Sequence, residues 1–381
     1  MATKVDETLA SDESNPLIAS AGSLIIDDIV LEDGTKNYGV MGGAGAHAII
    51  GARIWLPSPT LSKRLGYIAN IGDECPPDVV PRLNDLHISL LVRRVSGQPQ
   101  PRAWNTFGAE NKPGHRAFKY QTPEESYARF FRVLPDQFPE KWIDTVEYIH
   151  LITSPARLIA WVEAFRKRLQ GRAQNRSPCI VWEPSPESCR STNWNEFLTA
   201  CGFANVVSPN HEEAKQLATE ALSTWRVINQ ASRSPVGRQE VNCAIDDLNE
   251  LVSCILASLE ALRIPPPTLL LRAAERGCLV VPPKAVPVLV PAYWTVVAQG
   301  NPTAIVDVTG AGNSFLGGWM AGHLLSNKDP IAAACYGSVS ASFTLEQVGC
   351  PVIKMENGRE VWSGSDTAMD RLSRFRTLIN L

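Results

Sequence analysis

The segment DVTGAGNSFLGG, residues 307–318, decides the fold class of this 381-residue chain. It follows an apolar, strand-like run (AIV, residues 304–306) and precedes a stretch with helical spacing. Gly310, Ala311 and Gly312 are small enough for backbone N–H groups to point outward at the helix N-terminus, where the helix dipole favours negative charge. The segment therefore predicts an anion-binding turn. A plain strand-to-helix turn would also use small residues, so other parts of the chain must decide between the two interpretations.

The remainder of the chain predicts an α/β protein with a parallel sheet. Its composition is 44% hydrophobic and 20% charged, which is typical of a globular protein. An apolar strand at residues 17–30, a helix at 45–55 and a strand at 64–71 form a βαβ order, which favours parallel strands covered by helices. Further strands are predicted at residues 146–152, 179–182, 204–207 and 268–272. Further helices are predicted at residues 313–325, 330–346 and 366–381.

Charge and hydropathy patterns limit the partners of the chain. The formal net charge is −3 and no dense Lys/Arg block occurs, which argues against binding to nucleic acid or to an anionic membrane and favours a small-molecule partner. No apolar stretch reaches the roughly 18 residues needed to span a bilayer. Residues 1–16 are polar and acidic, unlike a signal or transit peptide, and predict a disordered tail. The nine cysteines are scattered without metal-ligand spacing, as expected of reduced thiols. These features leave the cytosol or the nucleus, and we predict a cytoplasmic protein.

The segment at residues 307–318 resembles the PfkB carbohydrate and nucleoside kinase signature D-[TV]-T-G-A-G-D-x-F-x-x-G, at the expected place near the C-terminus. The resemblance implies a ribokinase-like three-layer α/β/α fold with a mostly parallel central sheet and a small β lid. It also implies ATP-dependent phosphoryl transfer to a hydroxyl of a sugar, nucleoside or related metabolite. In the family, the Gly310, Ala311 and Gly312 amides would hold the transferring phosphoryl group, and the next residue would be an aspartate that accepts the substrate proton. That residue is Asn313 here, and a neutral amide does not accept a proton near neutral pH.

A second element also resembles the family. Asn210 and Glu213, in SPNHEEA, match its P-N-x-x-E-A element. The resemblance implies that this pair helps to organise Mg²⁺ water and the nucleotide phosphates, with Glu213 as the metal-site residue. An ordinary helix N-cap by Asn210, with acids in the first turn, would give the same pattern.

The N-terminal part of the chain carries the residues that the resemblance assigns to substrate. Gly22 and Asp27 resemble an early strand whose Asp binds substrate hydroxyls, although Asp27 would also suit a solvated strand end. Gly42, Gly43 and His47 resemble the G-G-x-x-x-N substrate loop, with His47 in place of the usual Asn. A lone histidine is more often structural, but its position in the loop makes it a candidate for substrate contact.

The C-terminal half carries the remaining implied site residues. Arg272 and Gly277, in LLLRAAERGCLVV, fall where the family has a nucleotide-lining residue and a turn glycine, and Arg272 replaces a small polar residue. Asp307 and Thr309 fall where relatives hold a monovalent cation such as K⁺, and Gly349 would close the same loop. All of these residues could instead cap and pack.

The resemblance covers residues 17–350, with the C-terminal helix continuing to residue 381. Within this range, residues 88–120 alternate in short runs and predict a small antiparallel sheet, which corresponds to the lid and could mediate a homodimer. Residues 220–245 are polar with weak periodicity and predict a surface insertion. The chain is similar to the fungal Mak32-type proteins of the family in three features. These are the insertion, Asn313 in the turn, and the absence of the usual Asn at position 47 of the substrate loop.

Two other functions remain open from the sequence. The chain could be a catalytically inactive PfkB-like protein that binds a nucleotide or metabolite, because Asn313 and His47 replace family residues. It could also be a dinucleotide-binding oxidoreductase, because GAGAHA at residues 43–48 fits G-x-G-x-x-A. That pattern is weak by itself, and Tyr-Gly-Val-Met precedes it instead of a long strand.

Overall fold

The computed structural model of the chain describes residues 4–9, 15–107, 116–172, 176–230, 243–297, 305–362 and 366–381. The chain divides into two compact units. The first comprises residues 1–150, 165–178 and 293–381, and the second comprises residues 151–164 and 179–292.

The strands of the described residues are β1 (Lys4–Leu9), β2 (Ile18–Ser20), β3 (Ile25–Val30), β4 (Lys36–Gly42), β5 (Leu65–Gly72), β6 (Ser89–Ser96), β7 (Arg102–Phe107), β8 (Arg116–Tyr120), β9 (Tyr148–Thr153), β10 (Cys179–Pro184), β11 (Val206–Val207), β12 (Thr268–Arg272), β13 (Cys278–Val281), β14 (Val288–Val290), β15 (Ile353–Glu356) and β16 (Arg359–Trp362). The α-helices are α1 (Ala44–Arg53), α2 (Val79–Asp85), α3 (Glu124–Ser126), α4 (Glu140–Thr145), α5 (Pro155–Leu169), α6 (Trp194–Cys201), α7 (His211–Gln230), α8 (Cys243–Ala261), α9 (Tyr293–Val297), α10 (Ala311–Leu325), α11 (Pro330–Leu345) and α12 (Ala368–Ile379). None of the helices in the described ranges is long and apolar enough to cross a membrane.

The main sheet of the first unit has the order β1-β6-β5-β2-β9. Strands β6, β5, β2 and β9 are parallel, and β1 pairs antiparallel with β6. All eight residues of β5 are buried, as expected of a parallel strand that is covered on both faces. Ser20 lies opposite Tyr67 on one side and His150 on the other, so these three residues form one row across the sheet.

The sheet of the second unit contains β10-β11-β12-β13-β14 in that order. Strands β10, β11 and β12 are parallel, and β13 and β14 continue the sheet in antiparallel pairing. Helices α6, α7 and α8 pack in this unit. Both units therefore confirm the α/β class with a mostly parallel sheet.

The lid differs from the sequence expectation in which residues build it. It is a four-stranded sheet of order β4-β3-β7-β8, and β3 pairs parallel with β7. The apolar run at residues 17–30, expected to be one strand, divides at residues 21–24 into main-sheet strand β2 and lid strand β3. Strand β6, expected in the lid, lies in the main sheet instead, because residues 89–92 are buried in the way that a covered strand requires.

Two further expectations change. Within the expected disordered tail, Lys4–Leu9 forms β1, whose backbone pairs with residues 91–96 of β6; residues 1–3 and 10–14 lie outside the described residues. Within the expected insertion at 220–245, α7 continues to Gln230 and α8 begins at Cys243. Leu222 is buried in this stretch, whereas Val227 and Ile228 are exposed. Residues 231–242 lie outside the described residues.

Helices α1, α10 and α11 pack closely through small residues, as predicted for the two C-terminal helices. An added Cβ would lie 2.2 Å from the Ser314 carbonyl oxygen at Gly51, and 1.8 Å from the Ala48 carbonyl oxygen at Gly317. The backbones of α1 and α10 can approach this closely only because neither glycine has a side chain.

A buried arginine at the end of α1 fixes the hairpin of β15 and β16. Arg53 is 0% exposed, and its Nη1 and Nη2 atoms each donate to one carboxylate oxygen of Glu360 at 2.7 Å. Its Nε and Nη1 atoms donate to the carbonyl oxygens of Leu86 and Leu56, and its guanidinium lies 5.7 Å from the ring centroid of Trp362. Burial opposes ionisation of Glu360, but hydrogen bonds from Arg53 and from the Ser58 amide outweigh it and lower the pKa of this carboxyl below 4.5.

Candidate functional site

The predicted anion-binding turn lies at the N-terminus of α10. Gly310 precedes the helix with a φ of 76°, in the left-handed region. The Ala311 amide donates to the Val308 carbonyl oxygen at 3.3 Å, and the Ser314 amide donates to the Gly310 carbonyl oxygen at 2.9 Å. The Gly312 amide has no acceptor among the described residues. The helix begins two residues earlier than expected, so Gly312 and Asn313 lie in its first turn, where amides lack intrahelical acceptors.

His47 lies directly beneath this turn. A Cβ added to Gly310 would come within 2.3 Å of three carbon atoms of the His47 ring, so the ring packs against the Gly310 backbone. His47 is 1% exposed, and its Nδ1 atom lies 3.6 Å from the sulfur of Cys350. Burial raises the pKa of the Cys350 thiol to about 12, so this thiol stays protonated at neutral pH. His47 therefore packs against the backbone of the turn and stabilises it. Its contact with substrate stays a prediction.

Asp27 lies on the covered face of the lid beside the glycine loop. It is 4% exposed, and its Oδ1 atom accepts a hydrogen bond of 2.9 Å from Asn105 Nδ2 on β7. An added Cβ at Gly42 would lie 1.9 Å from Asp27 Oδ2, so Gly42 leaves room for this carboxylate. Gly43 has a φ of 89°, and a Cβ there would meet the Ser23 carbonyl oxygen at 2.5 Å. The sequence interpretation missed Asn105, whose signal was its inward position in the alternating run RAWNTF.

Tyr67, Ser23 and Tyr127 carry buried or half-buried hydroxyl groups close to the glycine loop. Tyr67 packs under the first turn of α1, where a Cβ at Gly45 would lie 2.8 Å from its ring. Its hydroxyl is buried without a hydrogen-bond partner among the described residues. Burial is the main reason why the pKa of the Tyr67 hydroxyl is well above its ordinary value, and the nearby Cys350 and Tyr127 side chains raise this pKa further. Tyr127 donates to Ser23 Oγ at 2.9 Å. These groups suit a ligand that carries several hydroxyl groups.

Asp307 and Thr309 present oxygen atoms that suit a cation. The two side chains are 3% and 4% exposed, and the Thr309 amide donates to Asp307 Oδ1 at 2.9 Å. Asp307 Oδ2 and Thr309 Oγ1 are buried without a hydrogen-bond partner among the described residues. An unpaired buried carboxylate oxygen is costly, so a bound cation would stabilise it. No cluster of three or more His, Cys, Asp or Glu side chains suited to a metal occurs in the described part of the chain. The monovalent cation at this pair stays a prediction, and the two unpaired oxygen atoms are the observation in its favour. Gly349 has a φ of 77° and lies against Val40 of the lid, where a Cβ would come within 2.4 Å of Val40 Cγ1.

A cation effect on stability follows from this arrangement. We expect the melting temperature of the protein to be higher in KCl than in choline chloride at equal ionic strength. At a K⁺ concentration ten times its Kd, mass action contributes about 1.4 kcal/mol. The shift should disappear in Asp307→Asn and persist in Asp33→Asn, which changes an exposed turn carboxylate of the same unit. Equal K⁺ shifts in the protein and in Asp307→Asn would contradict a site at Asp307.

In the second unit, Asn210 and Glu213 hydrogen-bond each other. The Glu213 amide donates to Asn210 Oδ1 at 2.9 Å, and the Asn210 amide donates to Glu213 Oε2 at 2.8 Å. This is a capping box at the start of α7, the structural alternative that the sequence had left open. The helix end is therefore fixed by the same two residues that the family resemblance assigns to nucleotide and metal.

Arg272 lies at the end of β12, beside this capping box. Its Nη2 atom donates to Glu183 Oε1 at 2.9 Å and to the Ser208 carbonyl oxygen at 2.8 Å, and it lies 4.0 Å from Glu213 Oε2. Glu183 was missed by the sequence interpretation, although an acid directly after the apolar run at 179–182 was its signal. Mg²⁺ requires near-octahedral oxygen ligands. The guanidinium of Arg272, 4.0 Å from Glu213 Oε2, opposes a divalent cation bound directly to Glu213.

Gly277 has a structural explanation of its own. Its φ is 96°, and a Cβ there would lie 2.1 Å from the Val290 carbonyl oxygen. The turn before β13 therefore requires a glycine because β14 approaches it, and its predicted contact with nucleotide stays a prediction.

The dinucleotide-binding interpretation lacks its structural context. Residues 43–48 follow β4, which pairs antiparallel with β3 in the lid, whereas the dinucleotide fingerprint follows a parallel strand of a βαβ unit.

Comparison with known proteins agrees with this arrangement of elements and motifs. Residues 105–354 match the pfkB family of carbohydrate kinases. The chain belongs to the PfkB family. It is 29% identical over 366 residues to an uncharacterized protein of Schizosaccharomyces pombe, covering 93% of this chain and 91% of that protein. It is 25% identical over 370 residues to Protein MAK32 of Saccharomyces cerevisiae, covering 95% of this chain and 92% of that protein. The second similarity agrees with the Mak32-type resemblance.

Solved structures confirm the fold of this PfkB protein. A ribokinase from Giardia lamblia superposes with a TM-score of 0.61 at 16% identity, over 94% of this chain and 99% of that one. A putative ribokinase II from E. coli, in complex with ATP and Mg²⁺, superposes with a TM-score of 0.58 at 14% identity, over 96% and 99% of the two chains. The ribokinase-like α/β/α fold is therefore confirmed.

Proposed function

We propose that the chain binds ATP and a small hydroxyl-bearing metabolite, such as a sugar or nucleoside, and transfers the terminal phosphoryl group slowly between them. In this reaction the metabolite oxygen attacks the terminal phosphorus, the bond from that phosphorus to ADP breaks, and the hydroxyl proton is released. The observation that supports the proposal most is the turn at Gly310, where the first-turn amides of α10 and the helix dipole favour a phosphate group.

The covered face of the lid supports a polyhydroxyl acceptor. Asp27 is a buried carboxylate that Asn105 holds in place, and the buried Tyr67 hydroxyl offers a further donor. A ligand that pairs with such groups is selected strongly, because an analogue without the matching hydroxyl leaves them unpaired. These polar groups favour a hydroxylated metabolite over an apolar one.

The low rate is proposed because of Asn313. A kinase of this kind stabilises its transition state mainly by position and charge, so a missing base slows the reaction without removing the other contributions. Loss of a general base typically lowers the rate by about two to four powers of ten. Asp307 is a poor replacement, because its Oδ1 atom accepts the Thr309 amide and its other oxygen, Oδ2, is the proposed cation ligand.

A ligand screen tests the proposal. Thermal shifts should be measured with ATP, ADP and a panel of sugars and nucleosides, singly and in pairs, followed by assays for ADP formation. A binding nucleotide at a hundred times its Kd should stabilise the protein by about 2.7 kcal/mol. Absence of a shift with every nucleotide would refute the proposal.

A catalytically inactive binding protein is the second candidate function. Asn313 favours it, since an amide cannot act as the base, and so does Arg272, whose guanidinium lies beside Glu213. ATP binding without ADP formation across the whole panel would favour this second function. A cytoplasmic location and a homodimer through the lid also stay proposals; exposed Tyr38 and Trp104, in edge-to-face contact on the lid, support the dimer.

A further inference from the structure

The ends of three strands in the second unit surround one buried group of charges. Strands β10, β11 and β12 are parallel neighbours, so their carboxyl ends lie at the same edge of the sheet. Glu183 belongs to β10 and Arg272 ends β12, whereas Glu213 lies in the first turn of α7 after β11. Their side chains are only 7%, 11% and 10% exposed. Two carboxylates and one guanidinium are therefore held together away from bulk water.

Hydrogen bonds from Nε and Nη2 fix the guanidinium of Arg272, and its third nitrogen atom, Nη1, takes part in none of them. Nε donates to Ser208 Oγ at 3.1 Å, and Nη2 donates to Glu183 and to the Ser208 carbonyl oxygen. Nη1 makes no hydrogen bond with any residue that the structure describes. A guanidinium held in this way is ready to bind a further anion, because its remaining N–H donors are already oriented.

Arg272 offsets one of the two carboxylate charges of the group and occupies a position beside both of them. Two neighbouring carboxylates would by themselves attract a divalent cation, but Arg272 already supplies positive charge. Burial lowers the pKa of Arg272, but the charges of Glu183 and Glu213 outweigh this effect and raise its pKa above the ordinary value. The guanidinium is therefore a permanent cation. A divalent ion brought to Glu213 would be repelled by this charge, about 4 Å away.

We propose that Arg272 is a resident cation that takes the place of Mg²⁺ beside Glu213, and that its Nη1 atom donates to a phosphate oxygen of the nucleotide. The affinity of this chain for ATP then depends little on Mg²⁺. The inference rests on the proposed nucleotide binding, and it assigns to Arg272 a phosphate contact that no metal mediates.

The test compares the affinity for ATP in excess Mg²⁺ and in EDTA, measured by titration calorimetry on the full chain. We expect the two Kd values of the wild type to differ by less than about tenfold, the change that corresponds to 1.4 kcal/mol. Inorganic tripolyphosphate should compete with ATP in EDTA, because the contact is made to phosphate and not to the base.

Substitutions at Arg272 distinguish a phosphate contact from a structural role. Arg272→Met should weaken ATP binding in EDTA by about tenfold or more, and Mg²⁺ should restore part of the loss. Because Arg272→Met leaves Glu183 without its partner, the double variant E183Q/R272M removes both charges and keeps the net charge of the group at the wild-type value. Arg226→Met is the matched control, since Arg226 forms an exposed ion pair with Glu250 in the same unit.

The outcomes separate the inference from the proposed function. Wild-type binding that requires Mg²⁺ and is lost in Glu213→Gln would overturn the inference and leave the proposed function intact. No binding of ATP in either buffer would overturn both. Equal losses in Arg272→Met and Arg226→Met would also overturn the inference. If both Arg272 variants fail to fold, the Mg²⁺ dependence of the wild type alone decides.

Discussion

Replacing Asn313 with aspartate is expected to raise the rate of phosphoryl transfer by about two to four powers of ten. Asn313 lies in the first turn of α10, three residues after the left-handed Gly310. The substitution exchanges the side-chain amide for a carboxylate of nearly the same shape, so the backbone of the turn should stay unchanged. The aspartate carboxylate can accept the proton of the attacking hydroxyl, whereas the amide cannot. The measurement is ADP formation with the metabolite that gives the largest thermal shift, for wild type and variant at equal ATP saturation.

Asn313→Ala provides the control, because it also removes the amide but adds no base. It should stay at the wild-type rate or below it. If Asn313→Asp binds ATP as the wild type does and still forms no additional ADP, the kinase proposal loses its main support, and the binding-protein function takes its place.

Replacing Arg53 with methionine is expected to destabilise the first unit by about 3–5 kcal/mol. The side chain is fully buried, and its removal leaves Glu360 without its paired charge and two carbonyl oxygens without a donor. The measurement is urea unfolding followed by tryptophan fluorescence, with Trp362 close to the substituted side chain.

The pH dependence gives a second measurement of the same pair. The pKa of Glu360 is lower in the folded protein than its ordinary 4.5, so the pair stabilises the folded state above that pH. The stabilisation is lost as the pH falls through the lower folded-state pKa. As the pH is lowered below about 4.5, the free energy of unfolding should therefore decrease less in Arg53→Met than in the wild type. The control is Arg359→Met, an exposed arginine of the same hairpin, which should change stability by at most about 0.5 kcal/mol. A loss in Arg359→Met as large as in Arg53→Met would contradict this account.

Local patterns in the sequence predicted the turn at Gly310 and the helix after it, but not the backbone before it: residues 305 and 306, expected to end a strand, form none in the described part of the chain. The small residues 310–312 and the spacing that follows predicted a turn and a helix, and α10 begins at Ala311. The strand at residues 268–272 was predicted with its observed bounds. Such patterns are readable because periodicity and turn chemistry act between residues that are close in the chain.

The lid and the charged groups depended on contacts between distant residues, which no local pattern contains. Residues 88–120 read as a lid sheet, yet Ser89–Val95 pairs with β5, and the place of β6 in the main sheet is decided by that partner. Arg53 and Glu360 are separated by 307 positions. Arg272 was noticed only as a departure from the family, because its partner Glu183 is 89 positions away. The resemblance located the site residues, but the structure alone revealed that His47 is buried beneath Gly310 and that Arg272 is already paired.

The short strand β1, which carries the charged residues Lys4, Asp6 and Glu7, covers the edge of β6. Without it, β6 would be the outermost strand of the first unit's main sheet, with a row of unpaired backbone N–H and C=O groups. Such an open edge is a template for strand exchange with a second molecule. We therefore expect truncated proteins that begin after Leu9 to aggregate more readily than the full chain. Removing the N-terminal residues would lower the solubility of this protein.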